Sequence, residues 1–325
     1  HLWHRYDWFA YIGIVAVAGC YNRIPLRYVA ITMLLTVWAM AGYCAYLYFY
    51  TTELDFLVSH LMRLNMLRTQ HINSHMIIDL YTNFALIMGF CTLADKSVRP
   101  LAKGVIGFLM LPALAFVLLS DGRIGQFTAI AVLLVCLLAV IYRWRKWLCI
   151  PFCVLGLIGG GWLMMQNERM MLLQTESDPR AVIWQFSWEQ IKQKPILGYG
   201  LSSLSQTYVE RAYNDPQMYA GFVQPILENI PDFAAQGKTM ITCHPHNAFL
   251  MHWLAYGIMG VIVLAGFLVA AALLPVGKRR LYLWLMLACF VLQCMTEPIG
   301  DHLLPQLICL MLLVWQFSTP ADTRP

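Results

Sequence analysis

The chain has 325 residues, of which 60% are hydrophobic and 12% are charged, and its formal net charge is +5. A soluble domain carries charged side chains at about 25% of its positions, so this composition excludes ordinary soluble domains, disorder and a collagen-like repeat. The mean hydropathy of +0.61 instead predicts a membrane protein whose solvent is mostly lipid.

The apolar runs of the sequence predict an all-α polytopic membrane protein. A transmembrane helix needs about 20 mostly apolar residues. Runs of this kind occur at 8–21, which is short, and at 27–50, 76–94, 104–120, 124–142, 147–165, 247–274, 281–299 and 303–318. We therefore expect about nine or more transmembrane helices and one large, partly helical periplasmic loop. Because the chain begins with His1 and not with Met, we expect further residues upstream and treat nine spans as a minimum.

These spans divide the chain into three predicted regions. N-terminal transmembrane helices occupy 1–165, a large loop occupies 166–246, and C-terminal transmembrane helices occupy 247–325. A loop of about 80 residues is far longer than a usual connection, and loops of that length are commonly functional. We therefore expect the loop to be folded.

The positive charges predict the orientation of the chain. Short linkers on one side are rich in lysine and arginine, which is typical of cytoplasmic linkers. These residues are Arg23, Arg27, Lys96, Arg99, Lys103, Arg143, Arg145, Lys146, Lys278, Arg279 and Arg280. The opposite side holds the turn 120–123, the loop 166–246 and the turn around 300–302. In a double-membrane bacterium this is the periplasmic face, so we expect a multi-pass inner-membrane protein with a periplasmic active site.

The placement of the cysteines and the absence of nucleotide-binding motifs argue against further classes of protein. Nine of the ten cysteines lie in apolar runs and only Cys243 lies in a polar loop, which favours packing residues over a disulfide framework or a cysteine metal site. The sequence has no P-loop and no nucleotide-binding glycine fingerprint. Transport powered by an ATPase domain within this chain is therefore excluded, and we expect no cofactor, no metal and no nucleic-acid partner.

The middle of the large loop predicts a helix. Asp178 and Pro179 form a helix start, and Pro195 followed by a glycine turn ends it. Helical spacing relates five residues, which predicts an amphipathic helix lying at the membrane surface. They are Arg180, Trp184, Ser187, Trp188 and Ile191.

Two arginines stand where helices begin. Arg123 follows a tight turn and directly precedes a span. Its positive charge and the unpaired N–H groups of the helix start would form an anion site. The alternative is that Arg123, like many arginines at span ends, only extends to the membrane interface to keep its charge solvated. Arg180 lies in the first turn of the loop helix, where a positive charge is unfavourable. Either a bound anion or pairing with Glu176 or Asp178 would offset that cost.

The end of the loop carries two histidines. His244 and His246 flank Pro245, and Asn247 opens the next span. A metal pair needs a compact set of Cys, Asp or Glu partners, and none follows at metal-binding spacing. A neutral imidazole at this place can act as a general base. The alternative is a histidine that merely caps the helix.

Other polar residues are less specific. Asp79 and Asn83, one helical turn apart within a span, are costly in lipid and form either a structural hydrogen-bonded pair or part of a polar path. Glu297, Asp301 and His302 lie at the external end of the penultimate span. These three are candidates for contacts to an acceptor hydroxyl or for a second base.

The order of the motifs resembles the O-antigen ligase and polymerase superfamily. An arginine just after a span is followed by Arg-x-x-x-Trp, by Pro-x-x-Gly-x-Gly, by His-Asn-x-x-Leu and by Gly-x-x-Gly. In this chain these are Arg123; Arg180 and Trp184; Pro195, Gly198 and Gly200; His246, Asn247 and Leu250; and Gly257 and Gly260. The resemblance covers roughly 104–274. It departs at Asp121 and Gly122, which separate Ser120 from an arginine that usually follows serine directly.

The resemblance implies a metal-independent, inverting glycosyltransferase whose donor is a glycan on undecaprenyl diphosphate. Arg123 and Arg180 would hold the diphosphate, and His246 would deprotonate or orient the acceptor hydroxyl. Trp184, His244, Asn247, Asp301 and His302 would contact the acceptor or support these residues. The implied partners are the lipid-linked donor, a lipid A-core acceptor and membrane lipids. If Asp121 pairs with Arg123, Arg180 carries more of the diphosphate binding.

Several members of the superfamily are alternatives. One large external loop favours an O-antigen ligase over an O-antigen polymerase. A protein O-oligosaccharyltransferase ranks third, because it usually has a bigger periplasmic domain after its last spans and this sequence ends soon after 303–318. From another class, a lipid or glycan transporter would also be polytopic with intramembrane polar residues. Here the polar residues gather at one face, which favours surface chemistry.

Overall fold

The computed structural model describes residues 25–51, 75–120, 123–165, 179–224, 245–274 and 276–296. The regular elements in these ranges are helices, which confirms the predicted all-α class. The chain divides into two compact units. The first contains His1–Gln174, Leu274–Phe290 and Leu304–Pro325, and the second contains Thr175–Leu273 and Val291–Leu303.

The first unit is a bundle of long apolar helices. The helices are α1 Leu26–Thr51, α2 His75–Ala94, α3 Pro100–Leu118, α4 Arg123–Trp144 and α5 Cys149–Met165. Helix α1 packs against α2 and α3, and α4 packs against α2, α3 and α5. The side chains of Leu34, Phe84, Ile87 and Ile106 are fully buried in the bundle. The Nε1–H of Trp38 donates to the carbonyl of Leu109 at 3.0 Å, which ties α1 to α3.

Three helices in the described part of the chain are long and apolar enough to cross a membrane. They are Leu26–Tyr43, Pro100–Leu118 and Ile124–Tyr142, and they coincide with three of the predicted spans. Shorter apolar helices cover Ile78–Ala94, Lys146–Gly159, Ile258–Ala272 and Arg280–Met295. The predicted runs at 8–21 and 303–318 lie outside the described residues. The total of nine or more spans and the periplasmic position of the loop remain predictions.

Two of the predicted cytoplasmic linkers meet in the first unit. Arg279 Nη2 lies 3.8 Å from Asp95 Oδ2, although the two residues belong to linkers far apart in sequence. Partial burial alone would raise the pKa of Asp95, but hydrogen bonds from the Ser97 amide and hydroxyl, together with Arg279 and Lys103, hold this pKa below its ordinary value. The contact agrees with the prediction that both linkers lie on one side of the membrane.

The second unit is built around the predicted loop helix. Helix α6 spans Pro179–Gln193 and α7 spans Leu201–Asn214, followed by a short turn at Pro216–Met218 and a π-helical turn at Tyr219–Val223. Helices α8 Ala248–Tyr256 and α9 Ile258–Ala272 complete the unit, and α10 Arg280–Thr296 begins in the first unit and ends in the second. The buried cluster of the second unit contains Ile183, Phe186, Ile191, Tyr208, Ala212, Met218, Leu254 and Ala255.

Helix α6 forms where the sequence predicts it, and the residues of the predicted amphipathic face divide between the core of the unit and its surface. Ser187 and Ile191 are buried in the unit, whereas Trp184 and Trp188 are exposed at 36% and 43%. The side of the helix that includes Ile183 and Phe186 packs against α7 and α8. Helical spacing groups these residues correctly along the axis, but packing decides which of them are covered.

The predicted span at 247–274 is not one continuous helix. Gly257, with φ 66° and ψ −162°, ends α8 and precedes α9. A residue in this backbone conformation cannot continue an α-helix, and the conformation is accessible essentially to glycine alone. The expectation of a single uninterrupted span is therefore corrected.

Candidate active site

Helix α6 presents Arg180 at its first turn. Pro179 occupies the first helical position, where its fixed φ suits a helix and its missing N–H is no loss. The described first turn has no acidic residue, and Arg180 is half-buried. Arg180 thus belongs to the helix turn whose N–H groups lack intrahelical acceptors, and such a helix start favours negative charge.

A side-chain hydrogen bond holds this helix against the histidine segment. The Nε1–H of Trp184 donates to the carbonyl of Pro245 at 2.8 Å. Trp184 lies one turn beyond Arg180, which is about 6 Å along the helix axis, and Pro245 directly precedes His246. The structure therefore brings the start of α6 and the histidine segment together within the second unit.

The histidine segment has an unusual backbone. His246 has φ 46°, and it is the non-glycine residue with positive φ in the described part of the chain. Such a conformation costs roughly 1–3 kcal/mol and persists only where the surrounding structure enforces it. Pro245 and Asn247 on either side are buried, whereas His246 is half-buried.

Asn247, and not His246, caps helix α8. The backbone N–H of Leu250 donates to Asn247 Oδ1 at 3.1 Å, which is the standard N-cap interaction. Asn247 Nδ2 donates to the carbonyl of Met295 at 3.2 Å, so both ends of the amide are used. Helix capping, which the sequence left open for a histidine, therefore does not explain His246.

Two glycine motifs meet at the far end of α8. The N–H of Tyr199 donates to the carbonyl of Leu254 at 2.7 Å, and the N–H of Gly200 donates to the carbonyl of Ala255 at 2.9 Å. In the other direction, the N–H of Ile258 donates to the carbonyl of Pro195 at 2.9 Å. We call this arrangement, formed by 195–200 and 254–258, the glycine junction.

The glycine junction leaves no room for side chains at its centre. A Cβ on Gly198, which has φ 67°, would lie 2.6 Å from both the nitrogen of Gly257 and the carbonyl oxygen of Leu254. A Cβ on Gly257 would overlap the carbonyl of Ile196. The sequence shows the two motifs separately, and only the structure shows that each requires the other.

Arg211 reinforces the turn and was not predicted from the sequence. Its Nη1 donates to Gln190 Oε1 at 2.6 Å, to Gln193 Oε1 at 2.5 Å and to the Tyr199 hydroxyl at 3.0 Å. The Tyr199 hydroxyl in turn donates to the carbonyl of Gln190 at 3.1 Å. Arg211 therefore links the C-terminal end of α6 to the glycine junction. No local motif marks this role, because its partners lie 12 to 21 residues away.

The second candidate arginine belongs to the first unit. Arg123 is the first residue of α4, and its side chain lies outside the described residues. Gly125, in the first turn of the same helix, lies against the carboxyl group of Asp79, which is 1% exposed. A Cβ at Gly125 would overlap that side chain.

Buried amides make hydrogen bonds on either side of the start of α4. Asn83 Nδ2 donates to the carbonyl of Gly125 at 3.1 Å and to Thr128 Oγ1 at 2.9 Å, so it acts as a structural donor between α2 and α4. Gln126 Nε2 donates to the carbonyls of Ser120 at 2.8 Å and Leu118 at 3.1 Å. Both sides of the turn that carries Arg123 are therefore held by buried hydrogen bonds.

Several predicted site residues lie outside the described residues. They are His244, Glu297, Asp301 and His302. Within the described ranges, no group of three His, Cys, Asp or Glu side chains is placed to hold a metal ion. Arg180, Trp184, His246 and Asn247 are brought together in the second unit, and Arg123 lies in the first.

The fold and site define a helical membrane protein in which a loop arginine and a loop-end histidine are carried by adjoining elements of one unit. Residues 108–265, from α3 to α9, match the family model described as O-Antigen ligase. These residues make up just under half of the chain, and over this region the protein is similar to the O-antigen ligase family. The matched region contains Arg123, Arg180 and His246.

A relative from Rickettsia conorii, named "Putative polysaccharide ligase", is 31% identical over 97 residues. That similarity covers 30% of this chain and 20% of the relative, so the chain matches about a fifth of the relative's length. No solved structure matches the chain.

Proposed function

We propose that the protein is an O-antigen ligase. It transfers a glycan from undecaprenyl diphosphate to a sugar hydroxyl of lipid A-core by metal-independent, inverting glycosyl transfer at the periplasmic face of the inner membrane. The similarity of residues 108–265 to the O-antigen ligase family supports a glycosyltransferase of the ligase type. The observation that carries the proposal is the Trp184–Pro245 hydrogen bond, because it joins the helix of Arg180 to the segment of His246.

The leaving group determines what Arg180 does. Breaking the bond between the anomeric carbon and the phosphate oxygen leaves an electron pair on the diphosphate, so negative charge grows there in the transition state. A guanidinium at a helix start offers two N–H groups and a positive charge, and neighbouring backbone N–H groups point the same way. An interaction that strengthens as charge develops lowers the barrier and does not merely bind substrate.

His246 acts on the acceptor. The acceptor oxygen attacks the anomeric carbon from the face opposite the diphosphate, which inverts the configuration, and the hydroxyl proton passes to the imidazole. Asn247 and Trp184 are positioning residues in this scheme, since they fix the backbone on either side of His246 and do not need to touch substrate. His244, Asp301 and His302 are proposed to contact the acceptor sugar.

Arg123 is proposed as a second diphosphate ligand. Asn83 binds the carbonyl of Gly125 in the first turn of its helix and Gln126 binds the carbonyl of Ser120, so the backbone on either side of Arg123 is held before substrate binds. Such preorganisation avoids an ordering cost during binding. The neighbouring Asp121 lowers the net charge of this turn, and Arg180 therefore carries the larger share of the diphosphate charge.

Reconstitution tests the proposal. The protein is placed in vesicles with labelled undecaprenyl-diphosphate O-antigen, with or without lipid A-core and without added metal or nucleotide, and the products are separated on a gel. Label on lipid A-core is expected. A ladder of longer lipid-linked chains without acceptor would instead establish a polymerase. Movement of donor across the vesicle without a covalent product would establish transport.

Arg180→Ala and His246→Ala test the two central roles. Each variant is expected to lower transfer by 10²-fold or more, the usual scale for loss of a transition-state donor or a general base, that is, about 3 kcal/mol. Lys192→Ala is the matched control, because Lys192 is an exposed cation on the same helix and pairs with Glu189 at 2.7 Å. Wild-type transfer by either test variant, with folded protein in the membrane, contradicts the assignment.

A further inference from the structure

We propose that the turn at 194–197 inserts into the lipid bilayer and anchors the second unit to the membrane. Ile196 and Leu197, at its tip, are 67% and 83% exposed. Two adjacent large aliphatic side chains this exposed at one tip form an apolar surface of the kind that contacts lipid or a partner. This proposal concerns the membrane and does not depend on the reaction.

The exposure of this turn is imposed by the backbone. The carbonyl of Pro195 accepts hydrogen bonds from the N–H of Ile258 and from Trp253 Nε1, both at 2.9 Å. The N–H of Gly198 donates to the carbonyl of Lys194 at 3.1 Å and closes the turn. The tip residues therefore cannot fold back to bury their side chains without breaking the glycine junction.

The apolar surface continues onto helix α9. Ile258, the first residue of α9, is hydrogen-bonded to the turn, and the helix that follows is apolar throughout. Met259, Ile262, Val263 and Val269 recur at helical spacing and are all exposed. A helix with an exposed apolar stripe of this kind is solvated by lipid, so the turn lies at the end of a lipid-facing surface.

The length of α9 indicates how far the lipid reaches. A helix of 15 residues is about 22 Å long, whereas the hydrocarbon core of a bilayer is about 30 Å thick. If the far end of α9 lies at one boundary, about 8 Å of hydrocarbon extends beyond its start. The aliphatic tip of the turn is at this end of the helix, where it would fill that layer.

The surroundings of the turn match a membrane interface and not a protein partner. Trp188 and Trp253 pack edge to face with ring centroids 5.5 Å apart, and Tyr256 is exposed nearby on α8. Lys192 and Lys194 are exposed just before the tip. Aromatic rings at the level of the lipid headgroups, with lysines beside them, are typical of an interfacial anchor.

Photo-crosslinking in membranes tests this proposal. p-Benzoylphenylalanine is placed singly at Leu197, at Val263 on the exposed stripe of α9, or at Gln217, an exposed position of the same unit. Each protein is irradiated in phosphatidylethanolamine and phosphatidylglycerol vesicles and examined by mass spectrometry for lipid adducts. Exposed positions are used because substitution there leaves the core of the unit unchanged.

We expect lipid adducts at Leu197 and Val263 at a severalfold higher yield than at Gln217. Adducts at Val263 without adducts at Leu197 would overturn the proposal. Equal yields at Leu197 and Gln217 would also overturn it, since they would show only unspecific contact with vesicles. Cross-links from Leu197 to another protein chain would identify a protein interface in place of the bilayer.

Discussion

The two units place an arginine at the start of a helix by different means. In the first unit, buried side chains hold the start of α4: Asn83 binds the carbonyl of Gly125, Gln126 binds the carbonyl of Ser120, and Asp79 lies against Gly125. In the second unit, backbone contacts at the glycine junction and the Trp184 indole fix α6. In a bundle that faces lipid, unpaired backbone groups find no water and need buried amides. In the second unit, close contacts between backbone segments fix the position of α6 instead.

Gly257→Ala is expected to have the largest effect on stability and transfer, because the added Cβ disrupts the backbone contact directly. The new Cβ would overlap the carbonyl of Ile196, and the residue would hold a φ of 66° that alanine disfavours. Backbone overlap cannot be relieved by a rotamer change, so we expect a loss of about 3 kcal/mol or more in the stability of the second unit and loss of transfer.

Thermal unfolding of the purified protein and the transfer assay measure this effect. Gly266→Ala is the control, because Gly266 lies in α9 with nothing within 4 Å of a new Cβ. That variant should be neutral or more stable by about 1 kcal/mol. If Gly257→Ala is as stable and active as Gly266→Ala, the glycine junction is not what holds the second unit together.

Gly125→Ala tests the corresponding side-chain contact in the first unit. The Cβ would overlap the Asp79 side chain, which can shift more readily than backbone, so we expect a smaller loss of about 1–3 kcal/mol. Gly107→Ala in α3, with nothing within 4 Å, should be near neutral. Combining Gly125→Ala with Asp79→Ala should cost less than the sum of the single changes, because the overlap disappears. Additive losses would show that the two residues do not interact.

Trp184→Phe separates the hydrogen bond from the packing of the ring. It removes the donor to the Pro245 carbonyl and keeps most of the aromatic surface, so the stability loss should be about 1 kcal/mol. Transfer should fall more than this figure implies, because the position of His246 is no longer fixed. Trp162→Phe, at an exposed position on α5, should leave transfer unchanged. Unaltered kcat and KM in Trp184→Phe would remove Trp184 from the positioning role.

Asp95→Asn should have the smallest effect on stability, and this effect should depend on pH. The pKa of Asp95 is lowered in the folded state, so its stabilisation is present above the unfolded-state pKa of about 3.9 and is lost as pH falls through the folded-state value. Near neutral pH we expect a loss of at most about 1 kcal/mol, as for a surface ion pair. Thermal unfolding over a series of pH values should show a difference from wild type at neutral pH that shrinks as the pH falls below the unfolded-state pKa. A difference that does not shrink in acid would contradict this cause.

The sequence predicts the parts of the molecule that depend on local signals. Helix α6 follows from Pro179 and helical spacing, and the buried position of Asp79 follows from its place in an apolar run. The break at Gly257 could not be predicted, because its cause is the backbone of Ile196, about 60 residues earlier in the chain. The spacing along α6 could not show that Ser187 and Ile191 would be buried while Trp184 and Trp188 stay exposed, because α7 and α8 decide which side chains they cover.

In the candidate site, too, local motifs could be predicted from the sequence and tertiary contacts could not. The resemblance supplied the order of the arginine, glycine and histidine motifs, and therefore the residues to consider. It did not show that Trp184 contacts Pro245 or that Asn247 caps α8, since both depend on tertiary contacts. Arg211 has no local signal at all, and its three hydrogen bonds appear only when α6 and α7 pack together.

The left-handed backbone at His246 affects how the folding stability of this protein can be increased. Glycine suits φ 46° without strain, and asparagine tolerates it better than most residues. A redesign guided by stability alone would therefore replace His246 early, gain folding free energy, and remove the imidazole. With the role proposed for His246, a more stable protein and a working enzyme call for different residues at this position, which is the trade-off seen when function retains a locally unfavourable residue.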